Sequence, residues 1–155
     1  MIKRFFVEII EAISISDALV ADPADRDAAL RKATAVLMLD VARADQVFES
    51  SELKRVLELV ESHFGLSAEE AAELVDAAGD EAEDLTSVHQ FTELLHEHLD
   101  ENEKARIVSL LWQIAYADGH LDKYENSLVL KISDLLYVSR GRVMRLKHDA
   151  ELAAR

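Results

Sequence analysis

Carboxylates dominate the groups in this chain that can do chemistry, and two short stretches gather them around helix ends. "YADGHLDKYE" (116–125) places Asp118, Asp122 and Glu125 within eight positions. "ADQVFESSE" (44–52) places Asp45, Glu49 and Glu52 at the same spacing. Hard divalent cations such as Ca²⁺, Mg²⁺ or Mn²⁺ need several oxygen ligands held close together, and a short turn between two helices can bring three carboxylates into range. The spacing is not that of an EF-hand. His120 and Lys123 stand where such a loop needs an oxygen ligand and its turn glycine.

The same residues have a structural reading. Asp122-x-x-Glu125 fits a capping box, and Gly119 fits the left-handed residue that closes the preceding helix. Asp118 resists that reading. It sits at a helix C-terminus, where the macrodipole disfavours an anion by roughly 0.3–1 kcal/mol, and Asp45 repeats the placement. Amides at the start of the next helix, a basic side chain or a bound cation must offset the cost. Structural caps, a cation site and a partner contact are the three open readings.

Other constellations carry less. His89, Glu93 and His96 recur at i, i+4, i+7, a spacing that can present ligands to Zn²⁺, but their face lies opposite Phe91 and Leu95 and reads as a solvated polar surface. His98 points elsewhere. Trp112 and Tyr116 read as core. There is no Gly-rich phosphate loop, no G-x-S-x-G elbow and no cysteine, so thiol chemistry and disulfides are excluded and a non-enzymatic protein is expected.

The elements that must position these residues are helices. The 155 residues suit one domain, 1–155, and half of them are apolar, with four Gly and one Pro. Ile2, Phe5, Phe6, Ile9, Ile10 and Ile13 form the stripe of an amphipathic N-terminal helix, about 2–20, rather than a signal peptide. Asp22-Pro23 starts the next helix. Gly65 ends another, Ser67 with Glu70 and Asp100 with Glu103 form capping boxes, and Ser87 and Ser139 start two more. About seven to eight helices and no strand pattern give an all-α single-domain bundle.

The chain also repeats itself. With 37–57 laid on 110–130, Leu37, Ala42, Ala44, Asp45, Glu52, Val56 and Leu57 fall on Leu110, Ala115, Ala117, Asp118, Glu125, Val129 and Leu130. After a one-residue slip, "GLSAEEAAEL" (65–74) meets "YVSRGRVMRL" (137–146). This predicts an internal pseudo-twofold repeat with units of about 25–75 and 100–150.

Charge is uneven. The net charge is −14, yet residues 56–103 contain fifteen carboxylates and no Lys or Arg, so the remaining residues sum to about +1. Such a surface repels nucleic acid and anionic lipid and attracts cations or a basic protein partner. The basic C-terminal "SRGRVMRLKH" is expected to meet the acidic segment within the chain or across a homodimer. With no run long enough to span a bilayer, the reading is a cytoplasmic protein.

With these motifs in place, "VSLLWQIAYADGHLDKYENSLVLKISDLLYVS" (108–139), "HQFTELLHEHLDENEKARIV" (89–108) and the weaker copy at 44–52, where Gln46 replaces glycine, the chain resembles the TerB family of tellurite-resistance proteins over roughly 25–150. The resemblance implies an all-helical fold with internal symmetry and a link to tellurite resistance or stress. It also implies acidic positions for metal chelation, carried here by Asp45, Glu52, Asp118 and Glu125, with Glu49 and Asp122 as additions. A similar domain serves as an interaction module in a membrane-tethered J-domain co-chaperone. Lacking cysteine, this chain cannot reduce tellurite through thiols, so any role in resistance would be indirect.

Overall fold

A computed structural model describes residues 23–44, 50–82 and 87–154. The expected N-terminal helix lies outside the described residues. Seven helices follow in order: α1 Pro23–Ala42, α2 Ser50–Phe64, α3 Ala68–Ala82, α4 Ser87–His98, α5 Glu101–Ala115, α6 Lys123–Leu135 and α7 Arg140–Ala153. No strand occurs among the described residues, and the all-α bundle expected from composition is the observed architecture.

The helix ends follow local chemistry. Pro23 opens α1, where its missing N–H leaves no bond unmade. Ser67 and Glu70 exchange reciprocal bonds at the start of α3, 3.0 and 3.1 Å. Asp100 and Glu103 do the same for α5, at 3.1 and 2.8 Å. Ser139 caps α7 through the amide of Arg142.

Helix α1 is the axis of the core. Residues 32–39 are all buried, Lys32 and Thr34 included, because α2, α3, α4, α5 and α6 all pack against this one helix. A helix that is apolar on nearly every side has no outward face to give water, so it belongs in the middle. Helix α5 takes the equivalent place in the second unit and packs most extensively on α7. Trp112 on α5 is fully buried, and its indole N–H donates to the Val143 carbonyl of α7 at 3.2 Å. The expectation that Trp112 and Tyr116 are core residues holds, with Tyr116 at 8% exposure.

The duplication is visible in the backbone. At the exit of α1, the amides of Arg43 and Ala44 donate to Leu39 and Val41. At the exit of α5, the amides of Tyr116 and Ala117 donate to Trp112 and Ile114, each at the offset that relates the two sequence copies. After α2, Gly65 has φ 65° and the Leu66 amide donates to Glu61; after α6, Tyr137 has φ 59° and the Val138 amide donates to Ser133. This second set of pairs falls one position short of the first offset, which is the slip seen in the sequence. Helix α4 links the two units and packs on α1 and α6.

Candidate functional site

The second acidic turn begins where α5 stops at Ala115 with Tyr116 as its C-cap. Gly119 is left-handed at φ 85°, and its amide donates to the Tyr116 carbonyl at 2.9 Å. A Cβ at Gly119 would meet nothing within 4 Å, so the backbone angle alone calls for glycine there. The glycine stands three residues beyond the C-cap, inside a further turn, and not at the first position after the helix as its spacing suggests.

That extra turn accounts for Asp118. The carboxylate is exposed and lies past the helix end, and its Oδ1 accepts the His120 amide at 2.9 Å. The offset for an acid in this place is a backbone N–H two residues on, an Asx-type turn. Asp122 is half-buried and caps α6, its Oδ1 accepting the Tyr124 amide at 2.7 Å. Glu125 departs from the capping-box expectation. It is 2% exposed, whereas Glu70 and Glu103, which do close boxes, are exposed.

In the first copy, Glu52 is also 2% exposed, at the first turn of α2. The equal burial of Glu52 and Glu125 is the strongest side-chain trace of the repeat. A carboxylate buried in a first helical turn is favoured by the helix dipole and the nearby amides. Asp45 and Glu49 lie outside the described residues. Among the described residues, no group of three His, Asp or Glu side chains is placed to hold a metal ion. As they stand, Asp118 and Asp122 each spend one oxygen on a backbone amide, and Glu125 lies within the bundle.

Beside the turn, helix α7 closes a cleft of about 460 Å³ lined by Tyr116, Gly119, His120, Leu121, Lys147 and Glu151. Burial first, and then the charge of Glu151, raises the Tyr116 hydroxyl above its ordinary range. Sequence reasoning placed Tyr116 in the core but missed Lys147 and Glu151 as neighbours of the turn. Their only signal was the helical spacing i, i+4 on the last helix, and nothing local says which partner that face meets.

The remaining candidates resolve simply. His89, Glu93 and His96 are exposed, opposite buried Phe91 and Leu95. His96 Nδ1 lies 3.0 Å from the amine of Lys104, and its ring meets that of Tyr137 at 4.5 Å, tilted by 42°. Lys104 is 2% exposed and also pairs with Glu101 at 2.9 Å. The basic C-terminal stretch was expected to meet the acidic segment, within the chain or across a homodimer. Within the chain, Arg142 donates to Asn102 of that segment at 2.9 Å, while Arg140 pairs with Asp134 at 3.0 Å. Lys147 lies over the Trp112 ring.

A duplicated three-helix unit, joined by one linking helix and carrying an acidic turn between its first two helices, defines a helical-repeat domain of the TerB type. A family profile described as "Tellurite resistance protein TerB" matches residues 31–148, and the chain belongs to that family. Comparison with curated proteins and with solved structures gives no match. No helix among the described residues is long and apolar enough to cross a membrane.

Proposed function

We infer that this TerB-family chain works as a non-enzymatic docking module in the cytoplasm, engaging a basic protein partner through its acidic helices. One observation carries the reading. On α3, Glu69, Glu73 and Asp76 form an exposed stripe at i, i+4, i+7, with Ala71, Leu74, Val75 and Ala78 buried on the other side. No Lys or Arg lies between Arg55 and Lys104 to neutralise that stripe from within its own segment. A ridge of one sign on a rigid helix steers an opposite partner and gives salt-dependent association. A part in tellurite resistance, as the family name suggests, would then be indirect, through that partner.

The test is fluorescence anisotropy of a labelled lysine-rich peptide. Glu69→Gln/Glu73→Gln/Asp76→Asn should weaken binding about tenfold or more, and raising the salt should weaken the native complex. A control variant loses three exposed carboxylates outside the acidic segment, at Asp25, Asp118 and Asp149. If it weakens binding equally, net charge is the whole effect and the docking reading fails.

A second reading, a divalent-cation site at the acidic turns, draws support from the matched burial of Glu52 and Glu125 in the first turns of α2 and α6. It requires the turn to rearrange so that Asp118 and Asp122 turn from their amides toward an ion. Calorimetry with Ca²⁺, Mg²⁺ and Mn²⁺ should then show saturable binding lost in Asp118→Asn. Heat signals identical in the variant would remove this reading.

A further inference from the structure

Residues of α1, α2 and α5 and of the junction after α4 line a second cleft of about 260 Å³. Leu30, Phe64, Leu99 and Ile107, the last only 2% exposed, give it an apolar side, and Asp27, Arg31, Thr34, His63, Glu103 and Arg106 complete the lining. The Thr34 hydroxyl in its lining donates to the Leu30 carbonyl at 2.9 Å and is therefore spent.

Two guanidinium groups reach this cleft from opposite repeat units, Arg31 from α1 and Arg106 from α5, with His63 beside them. Within a chain holding 31 carboxylates, neither arginine has an ion-pair partner within 4.0 Å among the described residues. The two acids that share the lining do not change this. Glu103 is tied to the Asp100 amide in the α5 capping box, and Asp27 is exposed on the first turns of α1. Glu70 feels Arg31 as the least of its influences and is held by Ser67. The His63 ring stands edge-on to Phe64 at 4.7 Å. Burial, and then the charge of Arg106, hold His63 below its ordinary range, so it faces the cleft as a neutral imidazole near pH 7.

A cleft that sets apolar side chains beside convergent cationic groups suits a small amphiphilic anion, and paired arginines select a planar carboxylate through parallel N–H bonds. We propose that this cleft binds a small organic carboxylate, its head group between Arg31 and Arg106 and its short apolar tail against Leu30, Phe64, Leu99 and Ile107. The cleft is smaller than the roughly 300–1,000 Å³ of ordinary ligand pockets, so the tail it suits is short, about five carbons. Bound anionic charge beside His63 would favour the imidazolium, so binding should draw a proton onto that ring.

The experiment uses the full chain with hexanoate and, separately, inorganic phosphate as probes, followed by heteronuclear NMR and calorimetry. Hexanoate should shift the amides of Leu30, Phe64 and Ile107 and raise the His63 pKa. Arg31→Gln and Arg106→Gln should each weaken it about tenfold. Arg31 is half-buried and Arg106 exposed, so neither change removes a core side chain. Arg140→Gln, on α7, should leave binding unaltered. Phosphate binding as tight as hexanoate would overturn the carboxylate assignment, because Leu30, Phe64, Leu99 and Ile107 add nothing for an inorganic ion. Equal hexanoate affinity in the two arginine variants, or no shift at about 10 mM ligand, would overturn the site itself.

Discussion

Asp40 shows how one side chain can set the pH behaviour of the fold. It lies on α1, its Oδ2 is buried and has no hydrogen-bond partner among the described residues, and burial raises its pKa from 3.8 to about 7 against a smaller opposing effect of Arg43. The folded protein therefore holds a proton between about pH 4 and pH 7 that the unfolded chain has released. Stability falls as pH rises through that window, and the cost is complete above about pH 7. Asp40→Asn should stabilise the protein by about 1–3 kcal/mol at pH 8 and leave it nearly unchanged at pH 3.5. Urea melts at the two pH values check this; an equal effect at both would show that the charge is not responsible. Asp118 teaches the complementary lesson. Its position beyond a helix end looks electrostatically unfavourable, and a single backbone amide, that of His120, answers it.

At the scale of the element, the two copies of the α2–α3 junction differ in one informative way. Gly65 and Tyr137 occupy the same left-handed position, φ 65° and 59°, but only glycine adopts it without strain. The Tyr137 side chain is 70% exposed, so its ring buries little in exchange beyond its contact with His96. Tyr137→Gly should raise stability by about 0.5–1 kcal/mol, the relief of roughly 1–2 kcal/mol of backbone strain less the lost ring contact. Gly65→Ala should lower stability by about 1 kcal/mol, since no space restricts a Cβ there and the angle alone opposes it. Thermal melts of the two variants should move in opposite directions. A destabilised Tyr137→Gly would mean that the tyrosine ring contributes more than its backbone costs.

For the whole molecule, charge is the dominant global property. A net charge of −14 on 155 residues opposes compaction, and the surface pairs between described residues, such as Arg55 with Glu58 at 3.3 Å, are exposed and worth little each. Screening should therefore stabilise the fold. The melting temperature is expected to rise by several degrees between about 20 mM and 500 mM NaCl, where the Debye length falls from roughly 20 Å to 4 Å. A falling melting temperature would mean that ion pairs outweigh the repulsion. The same arithmetic opposes nucleic acid as a partner and favours a basic one.

The helices, their caps and the repeat are legible in the amino-acid sequence, because they depend on chemistry within a few residues. Pro23, Gly65, the Ser67–Glu70 and Asp100–Glu103 boxes and Ser139 act where they stand, and the offset between the two sequence copies, with its slip of one, reappears in the backbone bonds of both. Which charged groups the bundle encloses is settled only in three dimensions. Glu52, Glu125, Lys104 and Asp40 read like any surface residues on an amphipathic pattern, and only the packing of helices from distant parts of the chain shields them from water. Packing alone also turned Glu125 from a cap into an interior carboxylate and brought Arg31, His63 and Arg106 to one cleft. Local bonding rules are written in adjacent residues, whereas burial and convergence belong to contacts between segments far apart in the chain.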